Sequence, residues 1–183
     1  MQSAWWPLLR LVGLALPPYV ALQTGLVSMR DLGLAELDWI QRFGLGLAVS
    51  GALLLMLLVA SWQFRHVNLT LPAPAPQQRF LLPLQTAAEQ LLWALLRFGA
   101  ASFLRSQGVE APAAAYLGAW LGLALLYLAW VADPTWRQRL RQPASQRHEI
   151  IYLALALATT VVFLVSGNLW LSWVLHTLAL LIV

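Results

Sequence analysis

Six apolar runs, each near the ~20 residues a helix needs to cross the hydrocarbon of a bilayer, follow one another along this chain. They extend roughly from Trp5 to Val27, Ile40 to Gln63, Phe80 to Leu104, Ala113 to Ala132, Glu149 to Val165 and Leu169 to Val183. Inside lipid a backbone must satisfy its own amides and carbonyls, so such runs fold as helices and leave no place for an open sheet edge. The expectation is an all-α fold: a polytopic integral membrane bundle of about six transmembrane helices, one domain over residues 1–183. The last two runs are short, which fits little tilt, a thinned bilayer or partial re-entry. Pro17-Pro18 predicts a kink in the first helix rather than a gap.

Composition excludes the soluble alternative. Charged residues make up 10% of the chain and hydrophobic ones 61%, whereas a soluble domain carries about 25% charge. Cysteine is absent, so disulfides, zinc-finger ligand sets and thiol nucleophiles are excluded, and chemistry must come from His, carboxylates, hydroxyls or Arg. All eleven basic residues are Arg, and their spread among the loops is not a nucleic-acid footprint. The first run has Arg10 as its basic flank and lacks a small-residue cleavage pattern, so it reads as a retained span, not a signal peptide.

Arg137, Arg139, Arg141 and Arg147, with Arg65 and Arg79, place six arginines on one side of the predicted topology, against Arg30, Arg42 and Arg105 opposite. The positive-inside rule then puts both termini in the cytoplasm. Trp5, Trp6, Trp39, Trp62, Trp130 and Trp136 fall near the ends of runs, where indole anchors helices at the interface. The segment Met29 to Asp38 carries Arg30, Asp31, Glu36 and Asp38 among leucines, which suits a short interfacial connector. Pro72, Pro74 and Pro76 stiffen the linker before the third run. Small residues four apart, Gly46/Ser50 and Gly118/Gly122, predict close helix approach inside the bundle.

Three ionisable groups lie within the runs: Glu89 and Arg97 in the third, His176 in the sixth. Counted from Phe80 and Val183 at about 1.5 Å per residue, Glu89 and His176 both lie ~10 to 14 Å below the cytoplasmic face, so they can meet. A carboxylate and an imidazole at one depth can activate water, the first taking its proton and the second donating to a developing oxyanion. The alternative is that each is satisfied locally, by Gln85, Thr86, Gln90 or Thr177. Arg97, Arg10 and Arg105 are expected to snorkel to an interface. His66 and His148-Glu149 read as solvated helix ends, no set of spaced metal ligands is present, and the Asn68-Leu69-Thr70 sequon falls on the cytoplasmic side, where it carries no meaning.

The string Ser166-Gly167-Asn168-Leu169-Trp170 followed by His176 resembles a signature of the CPBP family, the CAAX protease and bacteriocin-processing (Abi-type) membrane proteins. In that family a small-residue turn precedes a helix whose His helps to form the active site. The resemblance covers the last 35 or so residues well and Leu84 to Leu104 loosely, and it implies a bacterial cytoplasmic membrane. Its glutamate-dependent intramembrane proteases carry Glu-Glu-x-x-x-Arg, Phe-x-x-x-His, and a final His followed four residues later by Asn or Asp. Here the first motif reduces to Glu89-Gln90, with Ala94 in place of Arg and Arg97 three residues late. The fourth run has no His, and Leu180 stands where Asn or Asp belongs.

Losing members of a catalytic unit typically costs orders of magnitude in rate. The resemblance therefore implies a divergent, non-proteolytic member that binds another membrane protein or a lipidated peptide within the bilayer, with no cofactor. Two alternatives stay open: an active intramembrane endopeptidase with Glu89 and His176 as catalytic residues, and a tetrapyrrole-binding subunit with His176 as ligand.

Overall fold

A computed structural model describes residues 6–35, 42–63 and 76–182. Trp5, Glu36, Asp38, Trp39, Arg65, His66, the Asn68-Leu69-Thr70 sequon, Pro72 and Pro74 lie outside the described residues, as do the side chains of Trp6 and Arg79. The described residues form seven helices and no strand: α1 (Trp6–Gln23), α2 (Phe43–Gln63), α3 (Pro76–Ser106), α4 (Ala111–Ala132), α5 (Pro134–Arg141), α6 (Pro143–Ser166) and α7 (Leu169–Ile182). The fold is all-α.

Among the described residues three helices are long and apolar enough to cross a membrane: α2, α4, and Ser145–Ser166 of α6, with mean hydropathies of 2.4, 1.7 and 2.1. Leu8–Gln23 of α1 and all of α7 are shorter apolar helices. The third expected span is different in kind. α3 is 31 residues long and carries Gln85, Glu89, Gln90 and Arg97, but it packs against α1, α4 and α7, so much of its polar surface meets other helices. Thr86, Gln90, Glu89 and Arg97 are all buried.

The fifth run is not short. α6 begins at Pro143, six residues before Glu149, because its polar first turns continue the apolar helix; hydropathy counting does not see them. The Arg-rich stretch expected as a loop contains its own helix, α5. The Asp133 carboxylate accepts from Thr135 N–H at 2.8 Å, Pro134 occupies the first helical position, and Trp136 is buried. α1 runs through Pro17-Pro18 without a gap.

Both pairs of small residues pack inside the bundle. A Cβ on Gly118 would stand 2.6 Å from the Ala101 backbone, and one on Gly122 would stand 2.8 Å from the Arg97 backbone, so α4 lies directly on α3. A Cβ on Gly46 would meet Leu171 and Ser166 at 2.7 Å, which seats α2 against α6 and α7. Ser50 Oγ hides its hydroxyl by donating to Gly46 O at 2.7 Å.

The α6–α7 corner is built by the Ser166-Gly167-Asn168 string. Gly167 ends α6 in the left-handed conformation (φ 65°), and Ser166 Oγ accepts from Asn168 N–H. Asn168 Oδ1 then caps α7 by accepting from Trp170 N–H at 2.9 Å and Leu171 N–H at 3.3 Å. The described part of the Met29 to Asp38 connector is seated on the α6–α7 corner. Leu32 is fully buried, Gly33 O accepts from Leu169 N–H at 2.9 Å, and Trp170 Nε1 donates to Leu34 O at 3.2 Å.

Candidate functional site

One face of α3 presents Pro83 O, Thr86, Gln90 and Trp93 to α7, because residues three and four apart share a helix face. The matching stripe of α7 is Trp173, His176 and Thr177. Trp173 Nε1 donates to Pro83 O at 2.9 Å, the Thr86 and Thr177 hydroxyls stand 2.7 Å apart, and Gln90 Nε2 lies 2.9 Å from His176 Nδ1. Trp93 stacks on the imidazole with centroids 5.0 Å apart, and Tyr152 of α6 meets it edge-on at 5.5 Å. His176 is thereby sealed, with no exposed surface.

Glu89 and His176, which depth counting brings to one level, do meet: His176 Nε2 is 3.8 Å from Glu89 Oε2. That separation is too long for a hydrogen bond, and Nε2 has no hydrogen-bond partner. With the Gln90 amide nitrogen as donor, Nδ1 accepts and the ring proton sits on Nε2, facing the carboxylate. The other carboxylate oxygen is held by α1, where Arg10 Nη2 donates to Glu89 Oε1 at 3.1 Å.

Two arginines depart from the snorkelling expectation. Arg10 turns inward to Glu89, because an unpaired buried carboxylate costs more than a long cationic stem held against the helix. Arg97 stays inside, 4% exposed. α4 presses on its backbone through Gly122, and its guanidinium lies over the Phe163 ring at 5.0 Å with Nη1 unpartnered. Arg105 does remain at the surface, bonded to Ser102 Oγ at 3.0 Å. Trp136, expected as an interfacial anchor, is buried and stacks on Trp130 at 6.4 Å, while Trp62 is exposed at the end of α2.

Chemically the cluster offers a carboxylate oxygen and an imidazole N–H that face each other at 3.8 Å. Ala94 is buried among Ala21, Leu32 and Leu169, and Leu180 is a half-buried part of α7. His148 is exposed, and its neighbour Glu149 pairs with Arg139 at 2.9 Å. Among the described residues no group of three His, Asp or Glu gathers to hold a metal. The His176 nitrogen that would reach a tetrapyrrole metal instead faces a carboxylate oxygen in a fully buried position.

Sequence reasoning missed Arg10, Trp93 and Tyr152 as members of this cluster. The depth count applied to Glu89 would have found Arg10, which lies about 8 Å along its run from Trp5 on the same side. Nothing comparable marks Trp93 or Tyr152. No family model matches this chain, nor does any curated protein or solved structure.

Proposed function

We propose that this chain is a divergent, non-proteolytic CPBP-like protein that binds another membrane protein, or a lipidated peptide, within the bilayer. In this reading α1, α3 and α7 cross the membrane alongside α2, α4 and α6. That makes six spans in a bacterial cytoplasmic membrane, with both termini in the cytoplasm. One observation carries the non-proteolytic part: the polar cluster is closed on itself. Glu89 is engaged by Arg10, His176 Nδ1 by Gln90, and the imidazole is enclosed by Trp93 and Tyr152, leaving no face for a scissile peptide. The cluster reaches the outside through Arg10, whose side chain is 51% exposed, so a partner segment would engage it from the α1 side. Purification from native membranes in mild detergent should recover the chain with a stoichiometric membrane partner. A monodisperse monomer, also seen by crosslinking in intact membranes, defeats the proposal.

A second reading is favoured by the unpartnered His176 Nε2, which faces Glu89 Oε2. There the chain is a glutamate-dependent intramembrane endopeptidase, with Glu89 as the base for water and His176 Nε2–H as oxyanion donor. Glu89→Gln and His176→Ala would each abolish cleavage of a membrane-anchored substrate by the folded protein. Unchanged processing in both variants removes this reading.

A further inference from the structure

At one end of the bundle the last turn of α4, all of α5 and the first turns of α6 come together. The apolar stretch of α4 ends at Ala132 and that of α6 begins only after Glu149, so α5 and the polar first turns of α6 lie at the level where both helices leave the hydrocarbon. This placement rests on the reading that α4 and α6 cross the bilayer. α5 lies with one side inward, burying Trp136 against Trp130 and half-burying Leu140 one turn later. Its outward side carries Arg137 and Arg141, both exposed and four residues apart, where like charges repel.

The acids at this end are already used. Glu149 takes Arg139 at 2.9 Å, and Asp133 is occupied by Thr135, through its amide at 2.8 Å and its hydroxyl at 2.7 Å. Arg147 donates from Nη2 to Ser61 O at 3.4 Å, while its Nε is buried without a partner. Among the described residues Arg137, Arg141 and Arg147 have no acidic partner, and an aromatic group of Tyr127, Trp130 and Trp136 lies at the same end of the bundle, with Trp136 buried under α5. Planar guanidinium forks match the paired oxygens of a phosphate, and aromatic belts occur at headgroup depth.

We propose that this end of the molecule binds the phosphate of an anionic phospholipid headgroup, with Arg137 and Arg141 as its ligands. The surface then selects anionic over zwitterionic lipid, and salt weakens the selection because the arginines are exposed.

The test uses the full chain reconstituted into phosphatidylcholine vesicles with trace spin-labelled phosphatidylglycerol or phosphatidylcholine, reading the motionally restricted fraction of each label. The expected result is a preference for phosphatidylglycerol of about fivefold per engaged arginine at low salt. Arg137→Gln/Arg141→Gln should abolish it with helix content unchanged, while Arg137→Lys/Arg141→Lys retains most of it and Arg105→Gln, at the other end, retains all of it. Equal association of the two labels, or a preference that survives the double Gln variant, overturns the proposal. Release of the protein from vesicles by alkaline wash is a separate outcome: it sinks the membrane-spanning reading and this site with it.

Discussion

Arg10 Nη2 stands 3.1 Å from Glu89 Oε1, so a half-exposed guanidinium on the peripheral helix α1 neutralises a carboxylate buried on the central helix α3. Breaking a buried pair from one side leaves a charge with no partner, at several kcal/mol when both groups are buried. The exposure of Arg10 reduces this, and Arg10→Gln is expected to destabilise by about 1 to 2 kcal/mol. Glu89→Gln in the same chain should recover most of the loss, since the neutral amide no longer needs the cation. Thermal unfolding of the single and double variants in detergent measures the coupling. Additive losses would show that the two side chains do not act as a pair.

The connector after α1 is locked by a glycine, and a second glycine provides the control. Gly33 and Gly25 both have φ of +71°, where a side chain is strained. A Cβ at Gly33 would stand 2.5 Å from Gly167 O and 2.8 Å from Phe163, whereas at Gly25 nothing lies within 4 Å. Gly25→Ala should therefore cost about 1 kcal/mol from conformation alone. Gly33→Ala adds a clash with the α6–α7 turn and should cost roughly 3 kcal/mol or more. Equal melting temperatures for the two variants would show that the connector is not seated on that turn.

Much of this arrangement could be read from the residues, and the exceptions have physical causes. Apolar run length located six of the helices, because a helix packed or exposed mainly through apolar side chains shows as an unbroken run in the sequence. It missed α5, capped by Asp133 and opened by Pro134, and the first turns of α6, opened by Pro143, because both lie in a stretch too polar to register as apolar. Depth along a helix brought Glu89 and His176 together, because rise per residue is constant. It could not say that Trp93 and Tyr152 enclose the imidazole, since that depends on how α6 and α7 rotate against α3. The Ser166-Gly167-Asn168 string has a local explanation as a helix end followed by a helix cap, and such a corner can recur wherever two helices meet.

The α3–α4 contact makes the glycine spacing testable by comparison. Gly118→Ala places a methyl 2.6 Å from the Ala101 backbone, and neither helix backbone can yield cheaply, so a loss of about 1 to 3 kcal/mol is expected. Gly99 is in the same helix as Ala101 but has nothing within 4 Å of its Cβ position. Gly99→Ala should therefore be neutral or stabilising by up to about 1 kcal/mol through helix propensity. Denaturation in detergent separates the two, and a Gly118→Ala chain as stable as the parent would rule out the close crossing.

Acid should loosen α5 through one group outside the long apolar helices. The Thr135 hydroxyl and amide both donate to Asp133 and, with the Trp136 amide and the Arg139 charge, hold its pKa below the ordinary 3.8. A carboxylate depressed in the folded state contributes stability that is fully present above its unfolded value and is lost as pH falls through the folded value. The cap therefore stays intact at neutral pH and through mild acid, and it fails only below pH 3.8. The Thr135 amide resonance, followed by NMR in micelles, should titrate with a midpoint below 3.8. Asp133→Asn keeps an oxygen acceptor but cannot take up a proton there, so it should preserve α5 while removing the titration. Asp133→Ala should fray the helix at every pH. If the Asn variant titrated as the parent does, the acid-sensitive contact would lie elsewhere, and the cap would not be what holds α5 across the end of the bundle.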